Sequence, residues 1–340
     1  VKVAPATRGG LAITELGFGG AAIGNLYAPV EHEAALATVH AAWAGGVRYF
    51  DTAPSYGNGL SERRIGEALA AYPRDRFVLS TKVGYSLEAV GPAGRGRSMF
   101  KDDAKLQART DFSREAVERS LCESLERLAS ERIDLVWLHD PDEASSIRRD
   151  ADRGAYSHFE QAMGEAYPVL DALRSRGAIG GIGVGLNQWQ MLEDFARAGD
   201  FDCFLLAGRY TLLEQEPLAS FLPLCLERGI GVVVGGPYNS GILASGATGD
   251  ARYNYARARE PVLARVRALE QVCRRHGVAL AAAALQLPLA HPAVISVIPG
   301  ARSAQELVSN LRHLQAEIPA TLWEELLERG LIDPRSPLPH

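Results

Sequence analysis

An α/β fold, a (β/α)8 TIM barrel with a small N-terminal hairpin and an extra C-terminal helix, is predicted by the way short apolar runs alternate with amphipathic stretches. Three observations carry that prediction. Eight strand-like runs each lead into a helical pattern in one uninterrupted series. Parallel strands joined by crossover helices need cover on both faces or closure on themselves, and eight units suit closure. No Pro/Ser-rich linker divides the series, so residues 1–340 are expected to form one domain.

Residues 1–16 alternate weakly around Gly9-Gly10, which predicts the hairpin. The strand-like runs are Leu16–Gly20, Val47–Phe50, Phe77–Val83, Ile133–Leu138, Ile179–Gly185, Cys203–Leu206, Gly231–Val234 and Val294–Ile298. Helical spacing fills Glu31–Ala44, Ser61–Ala71, Ser113–Leu128, Ser157–Arg176, Gln188–Ala198, Pro217–Arg228, Pro261–His276 with Leu280–Leu287, and Ser303–Gln315. The first helix stops at Gly45-Gly46. Before the second, Pro54, Gly57, Asn58 and Gly59 force a loop, and Ser61 with Glu62 opens the helix. Two connections are long, 84–111 after the third strand and 235–260 after the seventh. Both follow C-terminal strand ends, where barrel enzymes keep substrate-shaping loops. Pro319–Arg329 supplies the closing helix.

Composition narrows the function classes. The chain is 47% apolar and 23% charged, as expected of a globular protein with a large core. A net charge of −5 makes no electrostatic case for nucleic acid or anionic membrane. Cys122, Cys203, Cys225 and Cys273 show no CxxC spacing and read as free thiols in a reducing compartment. The N-terminus has no apolar signal core, and Gln286 and Pro288 interrupt the apolar run 278–290 well short of a membrane span. A cytoplasmic protein without nucleic-acid or membrane partners is expected.

The chemistry gathers at strand ends. Asp51 closes the second strand, Tyr56 stands in the loop beyond it, Lys82 ends the third and His139 the fourth. Each has an ordinary explanation: a turn-capping aspartate, a snorkelling lysine, a satisfied core histidine. Together, on adjacent strands around one rim, they can meet. A free phenol has a pKa of about 10. An ammonium beside it is expected to lower that value, an aspartate to hold the ammonium, and a histidine to orient a substrate oxygen. Such a site transfers protons without a metal or a nucleophile and suits hydride chemistry with a separate redox cofactor. Gly17-Phe-Gly19-Gly20-Ala-Ala22 mimics a dinucleotide fingerprint, but Ala37 stands where its acid belongs. No HExxH or His/Cys cluster supports a metal.

The motifs Phe50-Asp-Thr-Ala-x-x-Tyr56-Gly, Thr81-Lys82, Leu138-His139, Gly183-Val-Gly185 and Ile298-Pro-Gly-Ala-Arg302-Ser resemble those of the aldo-keto reductases over nearly the whole chain. That resemblance implies Tyr56 as general acid/base, tuned by Asp51 and Lys82, with His139 positioning the substrate. It implies cofactor contacts at Gly20, Asp51, Asn187, Tyr210, Pro237, Asn239, Ser240, Gly241, Ile298, Gly300, Arg302, Glu306 and Asn310. Substrate contacts would be Tyr27, Trp137, Tyr56 and His139. Within the family, Ile182-Gly-Val-Gly-Leu-Asn187 and Gly235-Gly-Pro-Tyr-Asn-Ser-Gly241 look like the aldose 1-dehydrogenases of the D-threo-aldose, L-fucose and L-galactose type. A pyridoxal dehydrogenase is a similar relative.

The chain departs from the common pattern at several points. Gly185-Leu186 replaces Ser-Asn, leaving Asn187 to hold the nicotinamide carboxamide. Ala207 replaces a glutamine, with Arg209 nearby. Gly235 replaces the stacking tyrosine, for which Tyr210 or Tyr238 would compensate. Gly300 and Glu306 replace the basic residues of NADPH-preferring relatives, so NAD is favoured over NADP, with Glu306 accepting from a free ribose. The expected reaction is oxidation of an aldose C1 hemiacetal to the lactone. Alternatives are reduction of aldehydes or ketones, oxidation of pyridoxal, and a Schiff-base aldolase using Lys82.

Overall fold

A computed structural model describes residues 1–4, 10–91, 98–101, 105–142 and 158–339. Eight parallel strands pair in chain order: β1 (Phe18–Gly19), β2 (Tyr49–Asp51), β3 (Val78–Val83), β4 (Leu135–His139), β5 (Gly181–Leu186), β6 (Cys203–Ala207), β7 (Gly231–Gly235) and β8 (Val294–Ile298). Parallel bridges Leu16–Val297 and Gly19–Gly300 bring β8 back to the beginning and close the barrel. A Cβ on Gly17 would lie 2.6 Å from the Tyr49 ring and 2.7 Å from Ile298. The glycine run that mimics a dinucleotide fingerprint thus lets β1 approach β2 and β8.

Side chains alternate along the strands, as a two-residue period requires. Tyr49, Leu135, Trp137, Cys203, Leu205, Val233 and Ile295 fill the barrel; Phe50, Val136, Leu138, Val232 and Val234 face the helices. Both faces are therefore apolar, which is why the strands read as continuous runs rather than alternating ones. Gly183 makes room for Trp137, since a Cβ there would lie 2.5 Å from the indole. Val3 bridges Thr14 antiparallel, and Ala4, Leu11 and Ile13 join the interior cluster. The N-terminal hairpin thus plugs the barrel at the end away from the strand C-termini; its tip, residues 5–9, lies outside the described residues.

The main helices are α1 (His32–Ala44), α2 (Leu60–Leu69), α3 (Arg114–Arg127), α4 (Tyr167–Ser175), α5 (Trp189–Ala198), α6 (Phe221–Arg228), α7 (Glu260–Arg275), α8 (Leu280–Leu289), α9 (Ala304–Gln315) and α10 (Ala320–Glu328). α4 is the end of a longer helical segment from Phe159, with a π-type turn at Ala162–Ala166. Pro168 lacks the amide that a regular helix would use there. The long connections hold structure that periodicity does not announce. Tyr85–Ala89 pairs antiparallel with Leu106–Thr110 after β3. After β7 come a short helix, Ile242–Ser245, and a hairpin of Arg252–Tyr253 with Ala256–Arg257. No helix among the described residues is long and apolar enough to cross a membrane.

Candidate active site

Parallel register sets the site. Asp51 faces Ser80 across β2 and β3, and Lys82 faces Trp137 across β3 and β4. The strands are buried, so a carboxylate placed here needs donors. Asp51 has three. Ser80 Oγ and Trp137 Nε1 donate to Oδ1 at 2.6 and 3.0 Å, and Lys82 Nζ donates to Oδ2 at 2.5 Å. Lys82 Nζ also donates to the Thr52 carbonyl at 2.7 Å. Asp51 and Lys82 are each 1% exposed.

The Tyr56 loop owes its shape to three successive left-handed residues, Gly57, Asn58 and Gly59 (φ 64°, 50° and 84°). A Cβ on Gly57 would lie 2.4 Å from the Gly24 carbonyl, so a larger residue would push the loop away. Behind it, buried Glu62 accepts from Thr81 Oγ1 at 2.6 Å and from Arg127 Nε at 2.5 Å, tying α2 to β3 and α3. The Tyr56 ring lies with its centroid 4.8 Å from Lys82 Nζ. It stacks on Phe100 at 5.8 Å and meets His139 edge-on at 5.8 Å. The four strand-end residues expected to meet do meet.

Their electrostatics differ from expectation. Burial pushes the Tyr56 phenol well above its ordinary value, and the Asp51 carboxylate adds to the rise, followed by Asp140, Tyr255 and Tyr85. The sequence predicts that the Lys82 ammonium, held in place by Asp51, lowers the pKa of the phenol. In the structure it is half of a tight pair with Asp51, and a pair presents a dipole whose effect on the phenol is far smaller than a bare charge. Burial, and then Lys82, holds His139 well below its ordinary value, so the imidazole is neutral near pH 7. Burial also lowers Lys82, opposed by Asp51.

A cavity of about 1440 Å³ opens above these groups and runs to the start of α9. Ligand pockets commonly span roughly 300–1,000 Å³, so there is room for an extended cofactor together with a substrate. Its wall includes Tyr27, Tyr56, Lys82, His139 and all but one of the thirteen expected cofactor contacts. Tyr210 is the exception. It is fully buried among the residues between strands and helices, with its ring 5.9 Å from His291, so it cannot stack on a ligand in the mouth. Trp137 is also off the wall. It lies two residues deeper than His139 on the same inward face, where its indole steadies Asp51.

The far wall is more engaged than the sequence suggests. Asn187 Nδ2 donates to the Ala207 carbonyl (2.7 Å) and Tyr255 Oη (3.2 Å), leaving Oδ1 as the group able to accept. Asn239 donates to Thr211, and Asn310 accepts from Tyr238 Oη at 2.8 Å. Tyr238 is thereby tied to α9. Glu306 is not a free acceptor. Oε2 takes the Arg302 amide at 2.8 Å and Oε1 takes its guanidinium at 2.8 Å. Ser303 caps α9 through the Glu306 amide.

Two wall residues escaped the sequence reading. Asp140 follows His139 directly, and that adjacency was the available signal. Tyr255 sits in the hairpin after β7, where Asn254 and Tyr255 both take positive φ (48° and 65°) in a two-residue turn. Arg209 Nη1 donates to Asn254 Oδ1 at 2.6 Å, and Asn254 Nδ2 to Glu214 at 3.1 Å, latching the hairpin to the end of β6. Only Asn254, a turn former, hinted at it.

A model of the aldo/keto reductase family matches residues 15–328. The chain is 40% identical to a D-threo-aldose 1-dehydrogenase of a Pseudomonas species, over 96% of this chain and 97% of that protein. It is 39% identical to a pyridoxal 4-dehydrogenase of Microbacterium luteolum, over 96% of each. The fold is similar to that of an aldo-keto reductase of Bacillus halodurans, with a TM-score of 0.72 at 23% identity, over 96% of this chain and 95% of that one.

Proposed function

This chain belongs to the aldo/keto reductase family, and we propose that it oxidises the C1 hemiacetal hydroxyl of an aldose to the lactone with NAD as hydride acceptor. The observation that carries this reading is the meeting of Asp51, Tyr56, Lys82 and His139 at one end of a cavity large enough for cofactor and substrate together.

The residues present fit a nicotinamide cofactor. Gly235, Gly236, Gly241 and Gly300 leave backbone rather than side chains along the wall, and Asn187 Oδ1 is free to receive a carboxamide N–H. When bound, the cofactor supplies a two-electron acceptor for the C1 hydride. Tyr56, in its phenolate form, takes the proton of the C1 hydroxyl. His139, neutral, keeps that oxygen in line by hydrogen bonding rather than by charge. Asp51 and Lys82 hold one another and fix the floor beneath the Tyr56 ring. The preference for NAD rests on Arg302, whose guanidinium is already met by Glu306, while burial lowers the pKa of His313. Among the described residues no unpaired cation stands at that end of the wall for a 2′-phosphate.

A second reading has its own support. A phenol held above its ordinary value keeps its proton near neutrality and is a proton donor, which suits reduction of an aldehyde or ketone. One site can serve both directions, and oxidation should then quicken as pH rises. The aldolase reading loses support, because Lys82 Nζ is engaged by Asp51 and Thr52 and is 1% exposed. The test is a screen of NAD and NADP reduction over L-fucose, L-galactose, D-arabinose and pyridoxal, with aldehyde reduction in parallel. Turnover of an aldose with NAD supports the proposal; activity confined to pyridoxal or to aldehyde reduction overturns it.

A further inference from the structure

Two of the aspartates that line this cavity, Asp51 and Asp140, are treated oppositely. Asp51 has its three donors. Asp140 has none: among the described residues no side chain or amide donates to its carboxyl, and His139 Nε2 lies 3.6 Å from Oδ2, beyond hydrogen-bond range. The chain nevertheless holds Asp140 on the cavity wall at some cost. Its φ is 45°, a left-handed conformation uncommon for a non-glycine residue, and its amide is tied to the Gly185 carbonyl at 3.0 Å. A strained residue with an unmet carboxyl beside a reacting centre is a receptor for an outside donor.

We propose that the Asp140 carboxyl receives the hydroxyl on the carbon next to the reacting one, making Asp140 a specificity-determining residue for polyhydroxylated substrates. The inference builds on the assignment of Tyr56 and His139 to the C1 oxygen. An oxygen within hydrogen-bond reach of His139 Nε2 brings the oxygen of the adjoining carbon within reach of Asp140 Oδ2, and a vicinal hydroxyl answers a carboxyl better than a methylene does. Its surroundings agree. Burial and the Asp142 carboxylate, opposed by Lys82, push Asp140 up to about 8. The group can therefore both donate to and accept from a hydroxyl near pH 7. The other titratable groups facing it are His139, Tyr56 and Tyr255, with Arg209 acting on Asp142.

The experiment compares kcat/KM for substrate pairs differing in that one hydroxyl, in wild type, Asp140→Asn and Asp140→Ala. One pair is an aldose and its 2-deoxy counterpart, read as oxidation. The other is lactaldehyde and propanal, read as reduction, which does not require the chain to act on sugars. Wild type should favour the hydroxylated member of each pair it turns over. Asp140→Ala should cut the hydroxylated-to-deoxy ratio by about tenfold, the scale of one hydrogen bond lost to an unpaired buried hydroxyl. Asp140→Asn, which keeps a donor and an acceptor, should restore part of that ratio. A ratio the same in all three proteins overturns the inference, even if aldose oxidation stands. Conversely, a ratio that falls only in the lactaldehyde pair, with no aldose oxidised, supports Asp140 and overturns the sugar reading.

Discussion

The rim formed by β2, β3 and β4 and the rim formed by the β6–β8 ends with α9 enclose the same cavity by different means. On the first rim the polar groups ride on strand ends and their immediate loop, and apart from Asp140 the carboxylates are met by buried partners: Asp51 by three donors inside the barrel, Glu62 by Thr81 and Arg127 between strands and helices. On the second they ride on turns. Asn239, Ser240, Gly241, Asn254 and Tyr255 all take positive φ, and the Arg302–Glu306 pair is about half exposed, at 56% and 41%. Strand register fixes the first rim to the width of a hydrogen bond, which is what proton transfer needs. The second rim is held by side-chain latches that can vary without disturbing the barrel, which is what a choice of ligand needs.

Substitutions should therefore act differently on the two sides. The largest effect is expected from Lys82→Met. It removes the partner of a buried carboxylate, a loss of about 3–5 kcal/mol in such pairs, and takes the support from beneath Tyr56. Turnover should fall by roughly 10²–10⁴-fold, checked by kcat together with urea unfolding. Tyr255→Ala comes next. It should lower kcat/KM for the carbohydrate or aldehyde by about tenfold while the cofactor Kd changes little, measured by steady-state kinetics and titration calorimetry. A change confined to cofactor Kd would place Tyr255 on the wrong ligand. Glu306→Gln frees Arg302 and should raise the NADP-to-NAD ratio of kcat/KM several-fold; an unchanged ratio would mean that the pair does not face the ribose.

The smallest effect concerns stability. Asp140 has a folded pKa raised to about 8 from 3.8. Between those values the unfolded chain sheds a proton that the fold retains, so stability falls as pH rises through the window. Asp140→Asn removes that dependence. Its melting temperature should gain on wild type by on the order of 2–5 °C as the buffer moves from pH 5 to pH 8. An equal difference at both values would mean that the carboxyl is not held protonated.

The first rim was legible in the sequence because strand ends are legible. Apolar runs located Asp51, Lys82 and His139, and the Pro54–Gly59 cluster located the Tyr56 loop. Their net electrostatics were not: Asp51 was expected to hold Lys82, but how far that 2.5 Å contact cancels the field of the ammonium at a buried phenol is something no spacing reveals. Trp137 and Tyr210 misled for a geometric reason: two residues along a strand change the layer, and a residue past a strand end can turn into the outer wall. Resemblance assigned Asn187 and Glu306 to the cofactor, but their existing partners, Tyr255 and Arg302, lie in turns and bends outside the regular elements. The hairpin that carries Tyr255 has two-residue strands, too short for any periodicity to mark.

Tyr56→Phe tests the central claim most directly, because it deletes one oxygen and leaves the ring packed on Phe100 and His139. Nicotinamide reduction by the variant, followed by absorbance alongside a cofactor titration, should show turnover lowered by roughly 10²–10⁴-fold with cofactor affinity nearly intact. Turnover within a few-fold of wild type would mean that the proton is handled elsewhere, and that the β2–β4 rim is not the proton-transfer centre of the barrel.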